Sequence, residues 1–320
     1  MPTIKIGVAW GSGAARGWAH VGVIRAFEEI GIPIHVEAGC SVGALVSAAR
    51  RLGIWEEFLA WAREIGPIGA LSQFALSIGA GGFVNPAGAF DSFRYADKDI
   101  TDLHEPWGAV ATDLATGREV WLTKGSVLDA ARASSSIPMV MQAAAVMIDG
   151  AERWMIDGAA SNPVPVSLAR ALGADRVIAV DLNASATTLT RFVRPRTRAV
   201  VPVEEPPAPS KDGIIPEPVV KLIRETQAYV QREMALAKAK AQAKPHFFET
   251  AAATLDIVQT HLAAARAHID VADVRIQPDL DGISPAAFDQ HAEIEERGYL
   301  AAMDVRSHLE ELIAEARAEA

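Results

Sequence analysis

Three short stretches carry residue types and spacings suited to chemistry: Gly11-Ser12-Gly13 followed by Arg16 and Gly17, Gly39-Cys40-Ser41-Val42-Gly43, and Asp157-Gly158-Ala159. The second is a G-x-S-x-G pentad set between a β-like run, IHVEAG, and a helix-like run, VGALVSAA. In that setting small residues permit a tight, strained turn that lifts a serine hydroxyl above a sheet at a helix N-terminus. Small residues are common, so the pentad alone says little; the upstream glycine turn, also placed between strand and helix, gives it weight. That turn would offer backbone N–H groups to a tetrahedral intermediate, each donor being worth about 3–4 kcal/mol of transition-state stabilisation. A guanidinium inside it, Arg16, suits a transient negative charge on an acyl oxygen.

The same glycines invite a rival. A dinucleotide fingerprint also follows a strand and opens a helix, and Glu37 lies at a plausible distance for gripping a ribose. The spacing disagrees, because G-x-G-x-x-G needs glycine where this chain has Arg16. A triphosphate loop fails too, since no Gly-Lys-Ser/Thr closes the turn.

A nucleophilic serine needs a base. The histidines late in the chain, His246, His261, His268, His291 and His308, sit mostly in charged, helix-like text with no strand-to-loop context. The other choice is a carboxylate that touches the serine directly. Asp149-Gly150 reads as the turn of a hairpin whose strands are VMI and AERWMI. Asp157 comes after the second strand and before an Asn-Pro turn, which makes it the better base.

The elements that must hold these residues alternate: β-like IKIGVAW, IHVEAG, GAVATD and DRVIAVDLN are separated by helix-like AHVGVIRAFEEIG, SVGALVSAARRLGI and PVSLARALG. That alternation predicts an α/β fold, a three-layer α/β/α sandwich with a mostly parallel central sheet. Residues 66–88 are rich in glycine and apolar side chains without a sustained period, and read as a cover over a site or as a surface loop. Leu71, Phe74, Leu76, Ile78 and Phe83 are its apolar side chains, which either touch lipid or serve as ordinary core. Trp55, Phe58 and Trp61, at helical spacing, read as core packing rather than a lipid anchor. The expected organisation is a catalytic core over residues 1–190, a Pro-rich connector over 191–218, and a mainly helical extension over 219–320 that ends a last strand, VADVRIQPDL, in long helices.

Half of the 320 residues are apolar and the formal net charge is −10. Such a charge argues against nucleic acid as a partner and against docking on anionic lipid by charge alone. A single cysteine, Cys40, excludes an intramolecular disulfide framework, the opening MPTIKIGVAW lacks a secretory pattern, and no run approaches the roughly 20 apolar residues that cross a bilayer. The expected location is the cytoplasm, with peripheral contact at the inner face of the membrane left open. No His/Cys/Asp cluster has metal-ligand spacing, so neither metal nor cofactor is expected. The Ala-rich tail is compatible with packing on its own domain and with a homo-oligomer.

With Gly11 to Gly17, Ser41 and Asp157 in place, the chain resembles the patatin-like phospholipases, especially the bacterial branch related to the hydrolase domain of neuropathy target esterase. The matching stretches are GSGAARGWAHVGVIRAFEEIGI, GCSVGALVSAA, VATDLATGREVWLTKG, ARASSSIPMV and MIDGAASNPVPVSLARALGADRVIAVDLN, covering most of residues 5–183, and TLDIVQTHLAAARAHIDVADVRIQPDLDGIS is similar to the branch's C-terminal piece. The resemblance implies a Ser-Asp dyad without histidine: Ser41 as nucleophile, Asp157 as its base, Gly11-Ser12-Gly13 as the oxyanion hole, and Arg16 fixing that turn. It implies a lipid or acyl-ester substrate cleaved through an acyl-enzyme, with no metal. Three departures stand out: Ser12 replaces the middle of three glycines, D-G-A replaces D-G-G, and MVMQAAAVMIDGAERW differs from the family's shorter version. A non-catalytic interaction module on the same fold is the alternative.

Overall fold

The computed structural model describes residues 4–64, 91–138, 140–183 and 247–318. The chain divides into one compact unit built from residues 1–188 and 254–320, and a second formed by residues 189–253. The 66–88 segment and the helix expected over 219–244 lie outside the described residues.

Strands β1 (Ile6–Trp10), β2 (Val36–Cys40) and β3 (Trp107–Asp113) are buried at every position. Uninterrupted burial is what a sheet covered on both faces demands. β4 (Glu119–Leu122), β5 (Ala144–Ile148), β6 (Ala151–Asp157), β7 (Arg176–Val180) and β8 (Val274–Ile276) complete it in the order β5-β6-β3-β2-β1-β7-β8, with β4 also on β3. β3, β2, β1, β7 and β8 run parallel, while β4, β6 and β5 are antiparallel to their neighbours. β5 and β6 turn at Asp149 and Gly150, both at positive φ (51° and 79°), the conformation of a tight two-residue hairpin.

Register at β3 decides where the chemistry sits. Val110 pairs with both Cys40 and Trp121, and Ala111 with both Val120 and Asp157. A strand has two edges and β4 fills one, so β2 and β6 share the other, meeting end to end with Cys40 and Asp157 at adjacent registers.

Helix α1 (Trp18–Ile30) follows β1 and stops at Gly31, which takes the left-handed conformation (φ 80°) of a C-terminal glycine. α2 (Val42–Leu52) follows β2 and α3 (Trp55–Glu64) follows it. α4 (Val127–Ser134) is capped by the Ser126 hydroxyl, which accepts the Asp129 N–H. α5 (Val166–Ala171) leads into β7; α6 (Phe247–Ala267), α7 (His291–Asp304) and α8 (Arg306–Ala318) come from the C-terminal part.

Alternate strand residues feed opposite faces. Ile6, Val8 and Trp10 of β1 pack with α1, α7 and α8, whereas Ala9 and Ala38 pack with α5 and Ala263 of α6. Ala109 and Ala111 meet α2 and α4, and Trp55, Phe58 and Trp61 flank that part of the core, Trp61 edge-on to Phe93. Three layers result, as the alternation of elements predicts. Among the described residues no helix is long and apolar enough to cross a membrane.

α1 and α7 touch backbone to backbone. A Cβ on Gly22 would fall 1.8 Å from the Glu295 carbonyl oxygen, and one on Gly298 2.0 Å from that of Ala19. Gly298→Ala must therefore push α7 off α1, and is expected to cost roughly 1–3 kcal/mol in urea unfolding. Gly31→Ala, with open space around its Cβ, is expected to cost only about 1 kcal/mol for its left-handed backbone.

Candidate active site

β2 ends at Cys40 and α2 begins at Val42, so the chain reverses within one residue. Ser41 makes that turn at φ 53° and ψ −123°, outside the regions that L-residues favour. The neighbouring glycines are required by contact: a Cβ on Gly39 would lie 2.4 Å from Ala44 Cα, and one on Gly43 2.2 Å from the Trp10 carbonyl oxygen. Ser134 at the end of α4 accepts the Ser41 N–H at 2.9 Å. The strained turn is thus held by backbone packing on one side and a hydroxyl on the other.

Ser41 Oγ donates to Asp157 Oδ2 at 2.6 Å, and both side chains are buried. Asp157 is the last residue of β6 rather than a residue beyond it. Its carbonyl accepts from Thr112 Oγ1 at 3.0 Å, its N–H donates to the Ser136 carbonyl at 2.9 Å, and Oδ1 accepts the Ala159 N–H at 2.8 Å. Gly158 allows the chain to pass over β3, since a Cβ there would sit 2.2 Å from the Val110 oxygen. Removal from water raises the Asp157 carboxyl from the usual carboxylate range to about 6, against the smaller opposing pull of the Ser41 and Ala159 hydrogen bonds. The arrangement is a buried carboxylate, with a raised pKa, hydrogen-bonded to a strained serine.

The glycine turn lies against this elbow, Gly43 on Trp10 and Gly17 on Val42. Its hydrogen bonds correct the expected donors. Gly11 N–H is taken by the Val180 carbonyl and Ser12 N–H by the Pro163 carbonyl, each at 2.9 Å. These two amides stitch the turn to β7 and to the segment before α5. Among the described residues, the Gly13 and Ala14 N–H groups have no acceptor. Ala14 stands at φ 50°, a conformation that its residue type does not advertise.

Arg16 is also redirected. It is buried, its Nη2 lies 2.5 Å from Asp256 Oδ1 and 3.4 Å from Asn183 Oδ1, and its Nε faces the Gly13 carbonyl at 3.5 Å. An ion-paired guanidinium is unsuited to meeting charge on a substrate and well suited to bracing the turn. Asn183 Nδ2 donates to both the carbonyl and the hydroxyl of Ser12 at 3.1 and 3.0 Å. The serine that departs from three glycines therefore gains a tether. Further support comes from the C-terminal part: Pro285 accepts the Ala15 N–H, and Arg275 of β8 holds Asp181, which accepts the Asn183 N–H.

Residue types alone did not single out Ser134, Asn183, Asp256 or His20. His20 is buried behind the turn with Nε2 at 2.7 Å from the Gly11 carbonyl and its ring edge-on to Trp10. Burial lowers its pKa to about 4, so the ring is neutral at ordinary pH and Nε2–H donates to that carbonyl. Glu37, the ribose candidate of the dinucleotide reading, is fully buried between Arg50, Arg51 and the Trp10 indole N–H and faces no open site. His261, His268, His291 and His308 make no contact with the dyad; His291 instead packs edge-on to Trp18. Among the described residues no group of three or more His, Cys, Asp or Glu could hold a metal ion.

Residues 8–170 match the family model described as patatin-like phospholipase. An uncharacterized NTE family protein of Mycobacterium bovis is 37% identical over 197 residues, 61% of this chain and 54% of that protein. Human patatin-like phospholipase domain-containing protein 6 is 28% identical over 194 residues, and the rat protein 7 is 31% identical over 199, covering 57% and 58% of this chain and 14% of each relative. The match thus spans about half the length of the mycobacterial relative and a small part of the mammalian ones. Strand-elbow-helix geometry, glycine turn and sequence agree: this chain belongs to the patatin-like phospholipase family.

Proposed function

We propose that the protein is a serine esterase acting on lipid acyl esters, of phospholipase A or lysophospholipase type, through a Ser41–Asp157 dyad. The observation that carries this reading is the 2.6 Å hydrogen bond from Ser41 Oγ to a buried carboxylate, made by a serine at positive φ on a G-x-S-x-G elbow. Asp157 takes the Ser41 proton as Oγ attacks the ester carbonyl, and the N–H groups of Gly13 and Ala14 receive the developing oxyanion. Collapse breaks the bond to the leaving alcohol or lysophospholipid, which departs with the proton from Asp157. Water, deprotonated by the same carboxylate, then attacks the acyl-enzyme and frees the fatty acid and Ser41. The fixed turn matters because these donors must be aligned before charge develops. A cytoplasmic location with peripheral contact at the inner face of the membrane fits a lipid substrate.

Ser41→Ala is expected to abolish both fluorophosphonate labelling and hydrolysis of p-nitrophenyl esters, and Asp157→Asn to lower kcat/KM by at least about a thousandfold. Wild-type protein that neither labels nor turns over any ester would overturn the proposal.

Because the base must be ionised to work, kcat/KM is expected to rise with pH through about 6 and to level above it. The same ionisation costs stability. A carboxyl whose folded pKa lies above its unfolded value binds its proton more tightly when folded, so ionisation destabilises the fold, starting near the unfolded pKa and becoming complete above about 6. Asp157→Asn should therefore raise unfolding free energy at pH 7.5 by roughly 1–3 kcal/mol, with the gain vanishing below about pH 4. Urea titrations at both pH values test this.

A further inference from the structure

Asn183 follows β7 and is fully buried beside the glycine turn. Its side-chain amide is used at every polar position. Nδ2 donates to the Ser12 carbonyl at 3.1 Å and to the Ser12 hydroxyl at 3.0 Å, while Oδ1 accepts from Arg16 Nη2 at 3.4 Å. The neighbours fix which way the amide faces, since a carbonyl only accepts and a guanidinium only donates.

These contacts act on the carbonyl side of the turn. A peptide group is planar and trans, so its C=O and N–H point in opposite directions. The Ser12 carbonyl shares its peptide with the Gly13 N–H, and drawing that oxygen toward Asn183 turns the Gly13 N–H away from it. The next peptide repeats the arrangement: the Gly13 carbonyl accepts the Arg16 N–H at 3.1 Å and faces Arg16 Nε at 3.5 Å, which leaves the Ala14 N–H pointing away. A hydrogen bond accepted at a carbonyl also polarises its peptide and makes the N–H a better donor. Two successive amides without acceptors among the described residues are thus backed by two successive carbonyls that have donors.

We propose that Asn183 is a positioning residue for the oxyanion donors: by holding the Ser12 carbonyl, with Arg16 and Asp256 as its anchor, it aims and strengthens the Gly13 N–H while contacting neither residue of the dyad. The assignment rests on the Ser41–Asp157 reading, in which that amide receives the oxyanion. The position needs a donor toward Ser12 and an acceptor toward Arg16 at once. Aspartate keeps the shape and the acceptor, but an ionised carboxylate has no proton for the Ser12 carbonyl and sets an oxygen against it.

The test separates this role from support of the fold. In the full chain, Asn183→Asp is compared with the exchanged pair Asn183→Asp/Asp256→Asn, in which one carboxylate still faces Arg16 but from position 183. The exchanged pair is expected to unfold in urea close to wild type. Its kcat for p-nitrophenyl octanoate, like that of Asn183→Asp alone, should nevertheless fall about 10- to 100-fold, less than the loss of a whole donor. KM should change by less than about twofold, because the contact matters only once charge develops. The pH midpoint of kcat/KM should stay at about 6, since the base is untouched. Affinity for an alkyl trifluoromethyl ketone, whose adduct with Ser41 carries an oxyanion, should fall by the same factor as kcat/KM. Full kcat in the exchanged pair, a loss confined to KM, or a displaced pH midpoint would overturn the assignment. If neither variant folds, the wild type carrying isotope-labelled asparagine supplies the answer: binding the ketone should move the Asn183 side-chain amide protons downfield, and unmoved resonances overturn the role. Wild type inert toward every ester and toward the ketone is a separate outcome, which sinks the dyad reading and this role with it.

Discussion

A carboxylate taken out of water ionises reluctantly, and a serine hydroxyl gives up its proton only to a base held against it. The hydrogen bond between Ser41 and Asp157 joins these two demands at 2.6 Å, and much of the surrounding architecture exists to keep the pair together. The sheet solves the placement with one device. β2 and β6 share a single edge of β3, arriving from opposite directions, so the end of one is the neighbour of the end of the other. No loop has to reach across the molecule to bring Asp157 to Ser41. Thr112, Ser134 and Ser136 then fix the pair from the flanks through one hydrogen bond each.

The strain at Ser41 and the cost of burying Asp157 are both offset by packing elsewhere. Backbone crosses backbone at Gly43 and Gly158, and the motif glycines are needed there for space. Similar close approach recurs far from the site, where Gly22 and Gly298 let α1 and α7 meet. The fold thus uses missing side chains twice, once to shape a reactive turn and once to anchor its C-terminal helices.

Much of this was legible in the sequence, for identifiable reasons. Continuous apolar strands, the G-x-S-x-G pentad and the Asp-Gly hairpin are local patterns, and local patterns survive translation into structure. Asp157 could be separated from Asp149 because only the latter sits in a two-residue turn. The glycine turn was legible as a turn but its donors were not. Whether an amide is free depends on partners such as Val180 and Pro163, more than a hundred residues away. Arg16 shows the same limit: a guanidinium beside glycines suggests an anion, and its partner proves to be Asp256, 240 residues along the chain. The three-layer plan was visible because it repeats; for the tail, helical pattern alone left packing on its own domain and a homo-oligomer both open, and it is contacts with distant segments that put residues 254–320 in the first unit.

That return has a consequence for the order in which the site is assembled. A nascent chain that has emerged only as far as Asn183 already contains Ser41, Asp157 and every glycine of the turn. It lacks Asp256 for Arg16, Arg275 for Asp181 and Pro285 for the Ala15 amide. Translation therefore supplies Ser41 and Asp157 early and the braces of the glycine turn late. On the proposed function, the residues of the dyad would be made before the C-terminal segment whose contacts brace the glycine turn.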